Sequence, residues 1–231
     1  MIESMELTCC LTANCHFTGW IVEHWARATP FLAIYTIIIL VTFALPQDKE
    51  LFLLWLQTPS QWMQQFEEFL FPGNFNEYFN IEVVRSTEKN WPLTDLTSFW
   101  INVPLGFCAF PFSCVVSGYI GVGYGIWTPY FSVFYAIIKV CLFFVRGKYV
   151  PGLVVGILIN LPLGVYTIWS FQQTFQLPIH IHIIGVEIAL AYTASILIYW
   201  LKFLRHDVVM KSMQFDQEED VDLRINNMAN I

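Results

Sequence analysis

The chain is short of charge. Of its 231 residues only 13% are Asp, Glu, Lys or Arg, about half of the roughly 25% usual in soluble domains. Basic residues are the scarcer kind: 11 Lys and Arg against 18 Asp and Glu, a net charge of −7. With no basic patch, binding to DNA or RNA has no support. Much of the excess acid sits near the end, in Asp216, Glu218, Glu219, Asp220 and Asp222. The opening residues MIESMELTCCLTANC carry glutamates where a cleavable signal peptide has a basic segment, so no such signal is expected. Also missing are a CxxC pair, a Gly-rich phosphate loop, a G-x-S-x-G nucleophile elbow and an internal repeat. GYIGVGYG, residues 118 to 125, reads as a tight turn between two hydrophobic segments.

Apolar residues are abundant: 56% of the chain, with a mean hydropathy of +0.55. Several apolar runs approach the roughly 20 residues that cross a bilayer as a helix, and none alternates with the period of two that a membrane β-barrel needs. The fold class expected is all-α, a polytopic transmembrane bundle of about six spans, at 31–45, 51–71, 98–119, 125–145, 152–171 and 179–201. A segment at 1–30 precedes them, and an acidic, disordered tail at 202–231 follows. Six spans place Arg27, Arg85, Lys89, Arg146, Lys148, Lys202, Arg205, Lys211 and Arg224 on one side, and only Lys49 on the other. The positive-inside rule then makes both termini cytoplasmic, so that 1–30 and 202–231 are cytoplasmic segments of a multi-pass protein whose first partner is the lipid bilayer.

Of the six cysteines, Cys108, Cys114 and Cys141 lie in apolar segments and read as small membrane-core residues. Cys9, Cys10 and Cys15 cluster beside His16, but CC-x4-CH matches no familiar zinc site, and acylation is the other reading of it.

The second span, which includes QWMQQFEEFLFPG at 61 to 73, sets two acids side by side. An ionisable group within a span costs at least about 2.5 kcal/mol on insertion scales, so it needs a partner or a task. Glu67, Glu68, Lys139 and Asn102 all fall within roughly 10 Å of the cytoplasmic end at about 1.5 Å per residue, with Gln64 one turn away on the same helix face. Asn160 and Glu187 count as nearer mid-membrane and outside that layer. Three readings stand: a buried carboxylate site for metal or acid–base chemistry, a Glu–Lys pair joining helices, and a glutamate solvated at the interface. His180 and His182, two residues apart, point to different helix faces, lie at the far interface from Glu67, and are expected to cap or line the end of the sixth span.

QQFEEFLFPGNFNEYFN, then LTSFWINVPLG, then KYVPGLVVGILINLPLGVYTIW, resemble in order the motifs of the HXXEE family of membrane proteins, over about residues 50 to 201. The resemblance implies a His-x-x-Glu-Glu helix whose polar residues form a metal-dependent type of active site. Here the motif histidine is Gln64, the family's Asn-x-x-x-His pair falls on Tyr135 and Lys139, and the turn asparagine is Val150. Gln64 is a poorer metal ligand than imidazole, and a cationic Lys139 repels a metal ion. The resemblance therefore implies a scaffold that has exchanged its site for an internal ion pair, with no metal ligand assigned and the cofactor unspecified.

The candidate residues are Glu67 or Glu68 as general base with Lys139 as electrostatic partner, and Gln64, Asn102 and Tyr135 as binding residues. The functions they admit are a divergent HXXEE-like protein with a lipid-like ligand or substrate, a non-catalytic lipid-binding or structural membrane protein, and a small proton-coupled transporter.

Overall fold

A computed structural model describes residues 19–194, and every element among them is helical. The chain divides into two compact units at Tyr192. The first unit contains all that follows; of the second, only residues 192–194 are described, as the end of a helix. Cys9, Cys10, Cys15 and His16, and the acidic tail at 202–231, lie outside the described residues.

Four helices are long and apolar enough to cross a membrane: α1 (Gly19–Ala44), α4 (Asp95–Tyr119), α5 (Val122–Arg146) and α6 (Leu153–Phe175). They correspond to the first, third, fourth and fifth expected spans, α1 beginning well upstream of 31. The second expected span is α2, in which Lys49–Trp55 and Gln57–Phe69 join through Leu56 into 21 residues. It is long enough to cross, at about 1.5 Å per residue, but too polar to count among the apolar four. A short helix α3 (75–83) follows in the connecting loop. Of the sixth expected span, 179–194 form α7 (Ile179–Ala194), and 195–201 lie outside the described residues.

The arrangement inverts a soluble protein. The polar α2 is central and packs against α1, α4, α5 and α6. Gln57, Thr58, Ser60, Gln61, Gln64, Gln65, Glu67 and Glu68 are all buried. The outer helices instead turn large apolar side chains outward, among them Phe31, Trp100, Phe112, Phe144 and Trp169. Hydrocarbon can solvate those faces, whereas buried amides and acids must find hydrogen-bond partners within the protein. Gln57 does so by donating to Thr167 Oγ1 (3.0 Å) and accepting from Ser132 Oγ (2.8 Å), which ties α2 to α6 and α5. Trp62 Nε1 donates to the carbonyl of Gly106 on α4 (3.0 Å). Of the apolar-segment cysteines, Cys114 is buried against Thr58, while Cys108 and Cys141 lie on exposed faces.

Three outer helices contain a π-helical stretch, the one in α1 being Leu40–Ala44. Pro104–Ala109 in α4 and Gly156–Asn160 in α6 are wound as π-helix, each beside a proline that cannot donate to the α ladder. Gly164 lets α6 cross α5 closely: a Cβ there would lie 2.8 Å from the carbonyl oxygen of Pro129 and from Val133 Cγ2. The turn between α4 and α5 is the glycine-rich one, with Gly121 at φ +149°.

The loop from α2 to α4 is organised by Asn80, which is fully buried. Its amide donates to the carbonyls of Lys89 (2.7 Å) and Leu93 (3.0 Å), and its oxygen accepts from Leu93 N (2.7 Å). Asn80→Ala would strand these backbone groups, at a cost of about 2 kcal/mol. The expected result is faster limited proteolysis between 84 and 94, with unchanged cleavage elsewhere. Equal protection of that loop in the variant would show that Asn80 does not hold it.

Candidate functional site

Glu67 and Glu68 leave the last turn of α2 in different directions. Glu67 reaches the N-terminus of α6. Its Oε1 accepts from Val154 N (2.9 Å) and from the Tyr149 hydroxyl, and its Oε2 accepts from Val155 N (2.6 Å). A carboxylate here neutralises unpaired amides and meets the positive end of the helix dipole. Tyr149 lies in the turn after α5 and is 41% exposed. Burial of its ring, followed by its hydrogen bond to Glu67, raises its pKa well above that of an ordinary phenol.

Glu68 faces α5. Its Oε1 accepts from Lys139 Nζ (2.6 Å), Tyr135 Oη (2.9 Å) and Gln64 Nε2 (3.2 Å). Lys139 donates also to the carbonyl of Pro151 (3.0 Å), and the Phe75 ring of α3 covers its ammonium at 4.0 Å. Gln64 Nε2 donates to the carbonyl of Gly152 (2.8 Å), and its Oε1 accepts from Asn160 Nδ2 (2.8 Å). Asn160 in turn accepts from Ser60. Gln64, Glu68, Lys139 and Glu67 are only 0%, 1%, 2% and 4% exposed.

The turn Val150–Pro151–Gly152 lies on top of this cluster. Gly152 adopts φ +87°, and a Cβ on it would run into Gln64 Nε2 and lie 2.8 Å from Glu68 Oε1. Only glycine combines that backbone angle with that approach. Val150 is fully buried with Tyr78 and Leu153 in an apolar group.

Five of the six candidate residues therefore converge: Glu67, Glu68, Lys139, Gln64 and Tyr135. Asn102 does not join them. Its side chain donates to Ser98 O in its own helix (2.8 Å), and only its backbone carbonyl meets α2, through Gln65 Nε2 (3.1 Å). Conversely, Asn160 belongs to the cluster although counting residues along a regular helix places it deeper. The π-helical turn Gly156–Asn160 carries it onto Gln64. Tyr149, Gly152 and Phe75 were also beyond sequence reasoning, since loops carry them to the site; the Pro-Gly turn was the one available signal. Glu187 is exposed on α7. His182 lines the start of α7, bonded to Tyr130 Oη and Gln172 Oε1 at 2.8 Å each.

Among the described residues no group of three His, Cys, Asp or Glu side chains is placed to hold a metal ion. No protein-family model, curated protein or solved structure matches the chain. The four apolar helices fit an integral membrane protein.

Proposed function

We propose that this chain is a non-catalytic, lipid-binding membrane protein of HXXEE-like architecture, in which the Glu67–Glu68–Lys139 cluster locks the helices together. The observation that carries the non-catalytic reading is that the polar groups of the cluster are engaged with one another. Glu67 spends both oxygens on α6 and Tyr149, Lys139 neutralises Glu68, and Gln64 uses donor and acceptor on Gly152 and Asn160. A general base has to reach a substrate proton, but these groups are buried and already engaged. The replacement of both motif histidines, by Gln64 and Lys139, supports the same conclusion.

On this reading α2 crosses the membrane shielded by the apolar helices. The basic residues of the α2–α4 loop and the α5–α6 turn, Arg85, Lys89 and Lys148, then favour a cytoplasmic location for the cluster end and for both termini. A catalytic reading keeps one specific support, the partly exposed Tyr149 that connects the surface to Glu67.

Elemental analysis and native mass spectrometry of the detergent-purified chain test the proposal. The expected result is a retained, chemically unaltered bilayer lipid without stoichiometric metal, and metal uptake only in a Gln64→His/Lys139→His variant. Stoichiometric metal in the unsubstituted protein would overturn it, because Lys139 and a cation cannot share Glu68.

A further inference from the structure

A groove of about 630 Å³ lies at the opposite end of the bundle from the acids, between α5, α6 and the start of α7. Tyr130, Phe134, Val165, Trp169, Gln172 and His182 are among its walls, and no Asp, Glu, Lys or Arg lines it. The volume falls within the roughly 300–1,000 Å³ of small-molecule sites. A charged lipid headgroup or a fatty-acid carboxylate would find no counter-ion here.

The polar atoms gather at one end. Gln172 Oε1 can only accept, so His182 donates to it from Nε2 and accepts the Tyr130 hydroxyl proton at Nδ1. The Tyr130 oxygen then keeps acceptor capacity, and the exposed Gln172 presents amide hydrogens. One acceptor beside one donor complements a neutral alcohol. Gln172 is near the end of α6 and His182 near the start of α7, so this polar end is at the level of the membrane interface. The apolar walls run from it along α5 and α6 toward the midplane. Tyr130 and Phe134 stack, with centroids 6.3 Å apart and planes at 25°, and Trp169 stands exposed on the facing helix. These flat surfaces favour a rigid fused-ring body over a flexible acyl chain, which would lose more conformational freedom on binding.

Building on the lipid-binding reading, we propose that this groove binds a sterol-class alcohol from the bilayer, its hydroxyl on Tyr130 and Gln172 and its rings between Tyr130–Phe134 and Trp169.

The test uses the full chain in phosphatidylcholine vesicles with a photoreactive, alkyne-tagged cholesterol analogue and peptide mapping. Crosslinks are expected on α5, α6 and α7 around Tyr130, Trp169 and His182, displaced by excess cholesterol but not by dioleoylglycerol. Val165→Trp, which fills an outward-facing position of the groove, should cut labelling about tenfold while leaving thermal unfolding unchanged. Labelling elsewhere, equal competition by dioleoylglycerol, no labelling of folded protein, or undiminished labelling of a folded Val165→Trp chain would each overturn the assignment. Retention of a lipid other than a sterol in native mass spectra would overturn it too, yet leave the lipid-binding reading standing.

Discussion

Lys139→Met should be among the most damaging single changes in the chain, destabilising it by roughly 3–5 kcal/mol because Glu68 remains buried without its cation. Glu68→Gln should be harmful for the complementary reason, leaving the ammonium with the Pro151 carbonyl and the Phe75 and Tyr135 rings but without its paired carboxylate. The double variant Glu68→Gln/Lys139→Met removes both charges from a site almost closed to solvent. It should recover most of the loss, since a buried pair exchanged as a whole for neutral groups is often close to neutral in stability. Denaturant unfolding of the four proteins in one detergent gives the coupling directly. If the two single effects simply add, the pair is not a lock. If the double variant folds as the parent does but no longer retains its lipid, the cluster acts on the ligand and the structural reading fails.

Gly152→Ala should be nearly as costly, although it adds one methyl group. At φ +87° an alanine costs about 1–2 kcal/mol in backbone strain alone. The added Cβ also displaces Gln64 and crowds Glu68, so the amide loses its bonds to Gly152 O and Asn160. Losing a buried hydrogen-bonded amide adds roughly 1–3 kcal/mol. Placed in a Gln64→Ala background, the same change should cost less than in the parent, because one of the colliding groups is gone. Equal costs in both backgrounds would locate the damage in the backbone alone.

The helical class and the apolar spans were legible in the sequence because hydrocarbon demands long runs of apolar residues, and α1, α4, α5 and α6 have them. That Lys139 lies level with Glu67 and Glu68 was legible by depth, but which acid it pairs with was not, and the structure gives Glu68. Asn160 was not, because its position depends on a π-turn that breaks the 3.6-residue repeat. Asn102 was misplaced for a related reason: depth says how far along a helix a residue lies, not which way it faces, and Asn102 folds back on its own Ser98. Tyr149 and Gly152 reach the acids through a turn whose path no periodicity describes. The polarity of α2 was plain in the sequence, but its centrality emerges only from the packing of α1, α4, α5 and α6 around it.

That centrality bears on how the chain enters the membrane. The groups that satisfy α2 come from far downstream: Ser132 is 75 residues beyond Gln57, Asn160 is 96 beyond Gln64, and Thr167 is 110 beyond Gln57. When 49–69 leaves the ribosome, none of these partners has been made, and its glutamines and glutamates oppose partition into lipid on their own. If α2 crosses the membrane as proposed, it is expected to settle only once α5 and α6 have been made. Nascent chains halted before Asn160 should then leave this helix extractable, whereas chains extended past Thr167 should not, the second helix in sequence being committed after α5 and α6 have begun to form.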